Sequence, residues 1–219
     1  GSQDLALTVN GLTDFQGAVG AGTAIGDGTG AAITINSTGA TEFDATLATA
    51  VGITSADGAG ALTFRDDVSI AAAGTGTTLL NAVTNLDGLT FTSAGNVSFG
   101  NSSGTDQVNL TGGAVAITAT AGVLQFISKV DGAQNLTVTT TTNTLFDGSV
   151  GSVTPINLFD YTGQGLTLSS AGNAVATTME VTNSGVFTTS DSADLTVGRF
   201  VQNGTGSSVI GDDLTSTVD

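Results

Sequence analysis

A three-residue signature recurs along this chain and constrains its fold more than any other feature. The signature is an apolar residue, a threonine and a second apolar residue, and consecutive copies start 26, 29, 27, 47, 30 and 29 residues apart. The gap of 47 residues holds one weaker copy, either Val108-Asn109-Leu110 or Ile117 with its neighbours. Recurrence at this spacing is typical of repeat proteins, so we expect about eight units of about 27 residues. The clear copies are Leu7-Thr8-Val9, Ile33-Thr34-Ile35, Leu62-Thr63-Phe64, Leu89-Thr90-Phe91, Leu136-Thr137-Val138, Leu166-Thr167-Leu168 and Leu195-Thr196-Val197.

Each unit has the local pattern of short strands. Leu136 and Val138 alternate with Thr137 and Thr139, and other copies alternate in the same way. Alternation of apolar and polar residues over four to six positions predicts a strand with one buried face. Clusters of glycine with aspartate mark turns. No stretch has a period of 3.6 residues, and the 32 glycines disfavour helices, so we expect an all-β chain.

The length of the unit decides between the all-β architectures. A unit of two or three short strands cannot bury its own apolar side, whereas stacked units bury a continuous column. The pattern therefore predicts a parallel β-helix, or β-solenoid, of about eight rungs. The alternative is a tandem pair of Ig-like β-sandwiches, which also have many short strands. The absence of Trp, the single Pro and Tyr, and the short repeat argue against it.

Two sets of side chains are expected to stack in such a solenoid. An internal aromatic stack is expected from the phenylalanines that have an aliphatic residue both four and ten positions later, which are Phe15, Phe43, Phe126 and Phe146. Ladders of side-chain amides are expected at bends, where successive rungs meet. The asparagines expected there are Asn10, Asn36, Asn96 and Asn173.

The composition excludes several classes of function. The chain has no Cys and no His, which excludes a disulfide framework, a Cys or His zinc site and a Ser-His-Asp triad. It has 3 Lys+Arg against 19 Asp+Glu, a formal net charge of -16, so nucleic acid and anionic membranes are poor partners. No apolar run reaches the length of a membrane span, so we expect no membrane insertion.

Gly1-Ser2 is interpreted as a cloning scar. Residues 3–219 are then expected to form a single elongated β-helix segment of a larger protein. The segment is expected to be a monomer. Its acidic surface should keep it soluble, because like charges repel.

Two segments resemble the repeats of very large bacterial exoproteins. One begins with Leu136-Thr137-Val138 and continues with the run from Leu145 to Ile156, LFDGSVGSVTPI. The other begins with Leu7-Thr8-Val9 and continues with the run from Asp14 to Gly20, DFQGAVG. Both are similar to units of filamentous-haemagglutinin-like proteins and autotransporter-type passengers. The resemblance implies a right-handed parallel β-helix, secretion to the bacterial cell surface or the extracellular space, and a role as an adhesin or surface fibre.

Several patterns could carry chemistry, but each has a plainer interpretation. The segment from Gly100 to Gly104 fits the G-x-S-x-G nucleophile elbow, yet the required His base is missing. Asp66-Asp67 and Asp212-Asp213 are adjacent carboxylates of the kind that a polysaccharide-cleaving β-helix needs, and we interpret both as solvated turns. Calcium takes six to eight oxygen ligands, some of which the turn Asp191-Ser192-Ala193-Asp194 could supply.

The run from Thr137 to Thr144 is typical of ice-binding solenoids, which repeat Thr-x-Thr on successive rungs. In this sequence the threonine pairs do not recur at one register, so we interpret them as strand-forming residues on an exposed face. We predict that the chain is not an enzyme and has no catalytic, cofactor-binding or metal-binding residue, with calcium as the one inorganic ligand worth testing.

The expected role is therefore a rod-like stalk or binding surface within a secreted or surface-displayed bacterial exoprotein. One alternative is a polysaccharide-binding or Asp-dependent polysaccharide-cleaving β-helix, and another is a calcium-stabilised or ice-binding adhesin module. Expected partners are a host cell, a glycan or a second copy of the chain. They would bind on strand faces or at the least regular segment, residues 71–85.

Overall fold

The computed structural model describes residues 3–71, 77–101 and 105–218. These residues contain 25 β-strands and no helix. All strand pairs among them are parallel. The predicted all-β class and the parallel β-solenoid of about eight turns are confirmed. The alternative of tandem Ig-like sandwiches is wrong, because neighbouring strands in those domains run antiparallel.

The strands are short through most of the chain and lengthen towards its end. The first eight are β1 (Leu5–Leu7), β2 (Thr13–Phe15), β3 (Ile33–Ile35), β4 (Thr41–Phe43), β5 (Leu47–Thr49), β6 (Ile53–Ser55), β7 (Leu62–Phe64) and β8 (Val68–Ile70). The next eight are β9 (Thr78–Leu80), β10 (Thr84–Asp87), β11 (Thr90–Ser93), β12 (Val97–Phe99), β13 (Gln107–Thr111), β14 (Val115–Ala119), β15 (Leu124–Phe126) and β16 (Lys129–Asp131). The last nine are β17 (Asn135–Thr140), β18 (Asn143–Phe146), β19 (Ile156–Gly163), β20 (Gly165–Leu168), β21 (Asn173–Asn183), β22 (Val186–Thr189), β23 (Leu195–Gly204), β24 (Ser207–Ile210) and β25 (Leu214–Ser216).

These strands form three sheets, which the chain visits in rotation. Sheet 1 has the order β1-β3-β6-β9-β12-β15-β18-β20-β22-β24. Sheet 2 has the order β2-β4-β7-β10-β13-β16, and sheet 3 has the order β5-β8-β11-β14-β17-β19-β21-β23-β25. Sheet 1 has ten strands because the incomplete turns at the two ends of the solenoid also contribute to it.

The predicted alternation decides which side chains lie inside. Ile33 and Ile35 of β3 are fully buried, whereas Thr34 between them is partly exposed. Most strands repeat this pattern, so apolar residues from all three sheets meet in one continuous core. Because each apolar residue packs on its equivalents in the turns before and after it, stacking buries a surface that a single turn would leave exposed.

The phenylalanines form two stacked columns inside this core. Sheet 2 carries the column Phe15, Phe43 and Phe64, and sheet 1 carries the column Phe99, Phe126 and Phe146. Ring centroids within a column are 4.3 to 5.4 Å apart. Phe91 of sheet 3 joins the columns through edge contacts with Phe64 at 6.2 Å and Phe99 at 5.6 Å. The prediction of a single stack is therefore wrong. Phe15 and Phe43 lie on sheet 2, whereas Phe126 and Phe146 lie on sheet 1.

The spacing of the rungs is less regular than predicted. Paired residues in sheet 1 are 28, 20, 25, 19, 27, 20, 22, 21 and 21 positions apart. Copies of the signature lie on all three sheets: β7 of sheet 2, β17 of sheet 3 and β20 of sheet 1 each contain one. The signature thus marks a strand rather than a complete turn. Ile117 pairs with Phe91 and with Val138, so it fills the long gap between copies.

The asparagine ladder is present, but at other residues than predicted. Asn109 Nδ2 donates to Asn85 Oδ1 at 2.9 Å, and Asn85 Nδ2 donates to Thr63 Oγ1 at 3.1 Å, along the outer side of sheet 2. The predicted Asn96 and Asn173 instead accept backbone N–H groups of a neighbouring turn at 2.9 Å. They therefore join successive turns through the backbone and do not form a ladder of amides.

The solenoid has two regions with different cross-sections. In the three-sheet region, residues 3–150, each complete turn has one strand in each sheet, and Val150 makes the last pairing with sheet 2, opposite Val130. In the two-sheet region, residues 151–218, no described strand belongs to sheet 2. There β19, β21 and β23 are 8, 11 and 10 residues long, and register shifts mark bends in this ladder. In each of these turns, one long bent strand takes the place of the two short strands that belong to sheets 2 and 3 in the three-sheet region.

Candidate functional site

The predicted carboxylate pair Asp66-Asp67 lies in the corner between β7 and β8. Asp66 Oδ1 accepts the backbone N–H of Asp67 at 2.7 Å. Asp67 Oδ1 accepts the backbone N–H of Thr90, in the next turn, at 2.8 Å. Both residues are exposed. The geometry supports the interpretation of Asp66-Asp67 as a turn, in which Asp67 fixes the start of β11 in the next turn of the solenoid.

The other acidic segments come together near the end of the solenoid. Asp194, Asp212 and Asp213 place carboxylate oxygens within 4.8 Å of one another, and all three residues are exposed. Asp191, which was expected to act with Asp194, is not part of this group. Three exposed carboxylates fall short of the six to eight oxygens that calcium takes. Calcium binding therefore stays a prediction.

Two further predicted segments are described only in part. Residues 102–104 of the G-x-S-x-G pattern lie outside the described residues, as do residues 72–76 of the segment expected to be irregular. The rest of that segment contains β9 and the first two of the four residues of β10, and both strands continue their sheets. The described part of residues 71–85 is therefore regular, contrary to expectation.

The basic residue Arg65 contacts acidic residues of several turns. Its Nη2 lies 2.7 Å from Glu42 Oε2, and its Nε lies 2.8 Å from Asp44 Oδ1. Its Nη1 lies 3.5 Å from Asp87 Oδ2, in the turn on the other side. Glu42, and after it Asp44, raise the pKa of the Arg65 guanidinium above its ordinary value. Arg65 thus links three turns on the outer side of sheet 2 through ion pairs.

The outer side of sheet 3 carries a column of threonines. The register pairs the members of successive turns directly. All five side chains point outwards, and their sequence separations are 26, 21, 23 and 20. The column is Thr92, Thr118, Thr139, Thr162 and Thr182. Single threonines therefore recur at one register, whereas the Thr-x-Thr pairs do not: Thr90 pairs with Ala116, so the pair Thr90-x-Thr92 is offset from the pair Thr118-x-Thr120.

Charge is distributed unevenly around this column. Ser69 and Asn203 extend it at its two ends. The positions two residues later in the same turns are also uncharged: Ala94, Thr120, Thr141, Gln164, Ser184 and Thr205. On a chain with a net charge of -16, two adjacent uncharged columns make a distinct surface. We call these two columns the hydroxyl face.

A pair of carboxylates borders the hydroxyl face in the two-sheet region. Asp160 and Glu180 are direct neighbours on adjacent strands, two residues before Thr162 and Thr182. Desolvation by burial, and secondarily the charge of Glu180, raise the pKa of Asp160 above its ordinary value. Asn203 Nδ2 donates to Glu180 Oε1 at 2.7 Å. Sequence reasoning missed this pair because its members are 20 residues apart.

A groove of about 550 Å³ lies where the hydroxyl face meets sheet 1, at the ends of β17, β19, β21 and β23. We call it the corner groove. A second concavity of about 310 Å³ adjoins it, shares Gln164 with it and extends it along sheet 1 past Thr167, Val186 and Thr188. The side chains lining the main part include Thr141, Thr162, Gln164, Thr182, Ser184 and Thr205. The site therefore presents hydroxyl and amide groups and no charged side chain.

Glycines at the corner make the groove concave. Gly163, Gly185 and Gly204 occupy the corner in three successive turns. A Cβ atom on Gly163 would lie 2.3 Å from the hydroxyl oxygen of Tyr161, and Gly204 has a φ of +87°. Only glycine fits such positions without strain. The corner backbone therefore stays close to the core, and the side chains on either side stand above it.

The floor of the groove is held by buried side chains. Asn183, which is 2 % exposed, donates from Nδ2 to Gly185 O at 2.9 Å and accepts at Oδ1 from Gln202 Nε2 at 3.0 Å. The buried Tyr161 hydroxyl donates to Gly165 O at 2.5 Å, and burial raises the pKa of Tyr161. These hydrogen bonds fix two successive corners and connect them to Gln202 of the next turn, so they hold the surface groups in place.

Comparison with known proteins adds no family: no protein-family model, no curated protein and no solved structure matches the chain. Among residues 3–71, 77–101 and 105–218, no helix is long and apolar enough to cross a bilayer.

Proposed function

We propose that this chain is a rod-like structural and adhesive segment of a large bacterial exoprotein, secreted or displayed on the cell surface. The observation that carries the proposal is the unbroken parallel register of sheet 1, which runs through ten strands from Leu5 to Ile210. A solenoid of this kind extends one strand spacing per turn, about 4.8 Å, and so separates its two ends by many turns.

The resemblance to exoprotein repeats supports the same role. Leu136-Thr137-Val138 lies in β17, and the run from Leu145 to Ile156 leads from β18 through the corner at Pro155 into β19. The matching residues thus occupy one turn of the solenoid. In this proposal the faces of the rod present polar groups to a host cell or a glycan, and the acidic corners limit sideways aggregation.

Surface labelling tests the proposal. Antibodies raised against the purified chain should label intact cells of the source bacterium, or filaments released from them. Labelling that appears only after the cells are permeabilised would refute the proposed location and the adhesive role. Beads coated with the chain provide the second readout, since they should adhere to host cells or to glycan surfaces.

A second candidate function, ice binding, is favoured by the threonine column. Two adjacent turns present the pairs Thr118-x-Thr120 and Thr139-x-Thr141 at one register, and Thr92 and Thr162 each continue the column by one threonine. Threonines repeated at one register on successive turns are the feature that an ice-binding face requires. Inhibition of ice recrystallisation that is lost in Thr118→Lys and retained in Thr34→Lys, on sheet 1, would establish this function. Equal activity of both variants, or none in the native chain, would exclude it.

A further inference from the structure

We propose that the corner groove binds a neutral oligosaccharide, with the sugar chain lying along the solenoid axis. The inference deepens the proposed adhesive role and depends on that role for its biological meaning. Its physical basis is independent, because it rests on the lining, the spacing and the rigidity of the groove.

The lining selects an uncharged ligand that forms many hydrogen bonds. Gln164 offers an amide, and Thr162, Thr182, Ser184 and Thr205 offer hydroxyl groups that both donate and accept. No basic side chain lines the groove, so an anionic glycan would find no partner. Asp160 and Glu180, two residues along the same strands, would repel it.

The spacing of these groups favours a polymer over a compact ligand. Thr162 and Thr182 pair directly across adjacent strands, as do Thr182 and Asn203. Equivalent groups therefore recur about every 4.8 Å along the axis. A chain of sugar units presents hydroxyl groups at regular intervals and can meet this series repeatedly, whereas a small molecule would need groups that converge on one point.

Backbone pairing in the groove disfavours a peptide. The amide of Gly185 donates to Gln164 O at 2.6 Å, and the amide of Ser184 donates to Gly163 O at 3.2 Å. Neighbouring strands on both sides use the remaining groups of the ladder. No free strand edge is therefore offered for a peptide to extend the sheet. Val186, which is 44 % exposed, gives one apolar contact suited to the C–H face of a sugar ring.

The rigidity of the groove offsets the lack of aromatic stacking. Asn183 and Tyr161 bind corner carbonyl groups from beneath, so the lining side chains project from a fixed backbone. A preformed site loses less conformational entropy when the ligand binds. Binding through hydrogen bonds alone is expected to be weak for one site, and many copies along a surface would strengthen it.

The experiment is a titration of the ¹⁵N-labelled chain with three probes: a neutral hexasaccharide series covering gluco-, galacto- and manno-configured chains, a sulfated glycosaminoglycan hexasaccharide, and a Ser/Gln-rich peptide. We expect at least one neutral series to shift amide signals of Thr162, Gln164, Thr182 and Ser184. We expect the other two probes to leave those signals unchanged. The double variant Gln164→Ala/Ser184→Ala should bind the neutral probe about tenfold more weakly, because two hydrogen bonds are removed.

Two further variants keep the result interpretable. The control Thr34→Ala/Thr54→Ala, on the outer side of sheet 1, should bind like the native chain. If the double alanine variant fails to fold, Ser184→Lys takes its place, and its lysine side chain should block the groove. The proposal is overturned if no neutral probe shifts the groove signals, if the groove variants bind unchanged, or if the sulfated probe or the peptide binds there instead. Surface labelling of bacteria with no glycan binding would refute this inference alone, whereas glycan binding by a chain confined inside the cell would refute the adhesive role.

Discussion

The three-sheet and two-sheet regions enclose the same continuous core in different ways. In residues 3–150, three short strands per turn surround stacked phenylalanine rings. In residues 151–218, one short strand and one long bent strand per turn enclose a mixed interior of Phe159, Tyr161 and Met179. Paired residues in sheet 1 are 19 to 28 positions apart across the first region but 21 apart within the second.

The difference shows where this fold tolerates variation. Each extra corner is a place where residues can be inserted without changing the register of the strands on either side. The two-sheet region has fewer corners, and its paired residues in sheet 1 have a constant spacing of 21 positions. The corner groove lies in that region, where each of three successive turns has a glycine at the corner.

The largest expected loss of stability comes from interrupting the phenylalanine column on sheet 1 in the three-sheet region. Phe126 is fully buried between Phe99 and Phe146, with ring centroids at 5.0 and 4.3 Å. Phe126→Ala should lower the free energy of unfolding by about 3–5 kcal/mol, because it removes two stacked contacts and leaves a cavity. Met179→Ala in the two-sheet region should cost about 2–5 kcal/mol. Urea denaturation measures both, with Leu12→Ala, at a residue that is 62 % exposed, as the neutral control. A Phe126→Ala variant as stable as the Leu12→Ala control would contradict the stacked core.

A smaller effect tests how closely adjacent corners approach in the three-sheet region. A Cβ atom on Gly39 would lie 2.0 Å from the carbonyl oxygen of Gly11, in the neighbouring turn. Gly39→Ala should therefore destabilise the chain by about 1–3 kcal/mol, the range for overpacking. Gly11→Ala is the matched control, since no atom lies within 4 Å of its added Cβ. Thermal unfolding of the pair distinguishes them, and equal midpoints would mean that the two corners are further apart than described.

The amide ladder on sheet 2 should contribute less. Asn85 bonds both Thr63 and Asn109, so Asn85→Ala should lower the free energy of unfolding by about 1–2 kcal/mol. Asn36→Ala, at an exposed corner, should change it by no more than about 0.5 kcal/mol. Chemical denaturation of both variants provides the test. If Asn36→Ala proved the more damaging of the two, the ladder would not be where the structure places it.

The smallest effect concerns the carboxylate pair of the two-sheet region. The pKa of Asp160 is raised by desolvation and by Glu180, so the folded state holds this proton to a higher pH than the unfolded chain does. The resulting destabilisation is present above the folded-state pKa and is relieved as the pH falls below the ordinary value. Asp160→Asn should therefore stabilise the chain at neutral pH, by about 0.2–1 kcal/mol, the range for directly opposed charges in a sheet.

The same substitution should give no gain at about pH 3, where the carboxyl is protonated in both states. Melting temperatures of the native chain and of Asp160→Asn across this pH range provide the measurement, with Asp191→Asn, at an exposed turn, as the control. A gain that grows as the pH falls would reverse the predicted sign and refute the assignment.

The sequence predicts the strands and their stacking because alternation is a local property. Leu136 and Val138 alternate with threonines whichever sheet they belong to, and their burial in β17 follows from that pattern. Equivalence between turns is not local. Thr92, Thr118, Thr139, Thr162 and Thr182 share a column although four different separations divide them, since the corners between them differ in length.

The candidate site escaped prediction for the same reason. A constant offset assigns Phe15 and Phe126 to one stack, whereas corner lengths place them on different walls. Asp160 and Glu180 become neighbours, and Gly163, Asn183 and Gly204 meet at one corner, only once the register is known. The nearly constant spacing of Phe159, Met179 and Phe200, which are 20 and 21 residues apart, is the one signal in the sequence for the long strands β19, β21 and β23.

The central claim is one parallel register running through both regions, and spin-label distances test it most directly. The chain has no native cysteine, so labels can be placed through Ser69→Cys with Thr162→Cys and through Ser69→Cys with Asn203→Cys. The register places these pairs four and six turns apart on sheet 3. The account predicts backbone separations of about 19 and 29 Å, in proportion to the number of turns. Two equal distances, or a longer distance for the pair that is four turns apart, would contradict it.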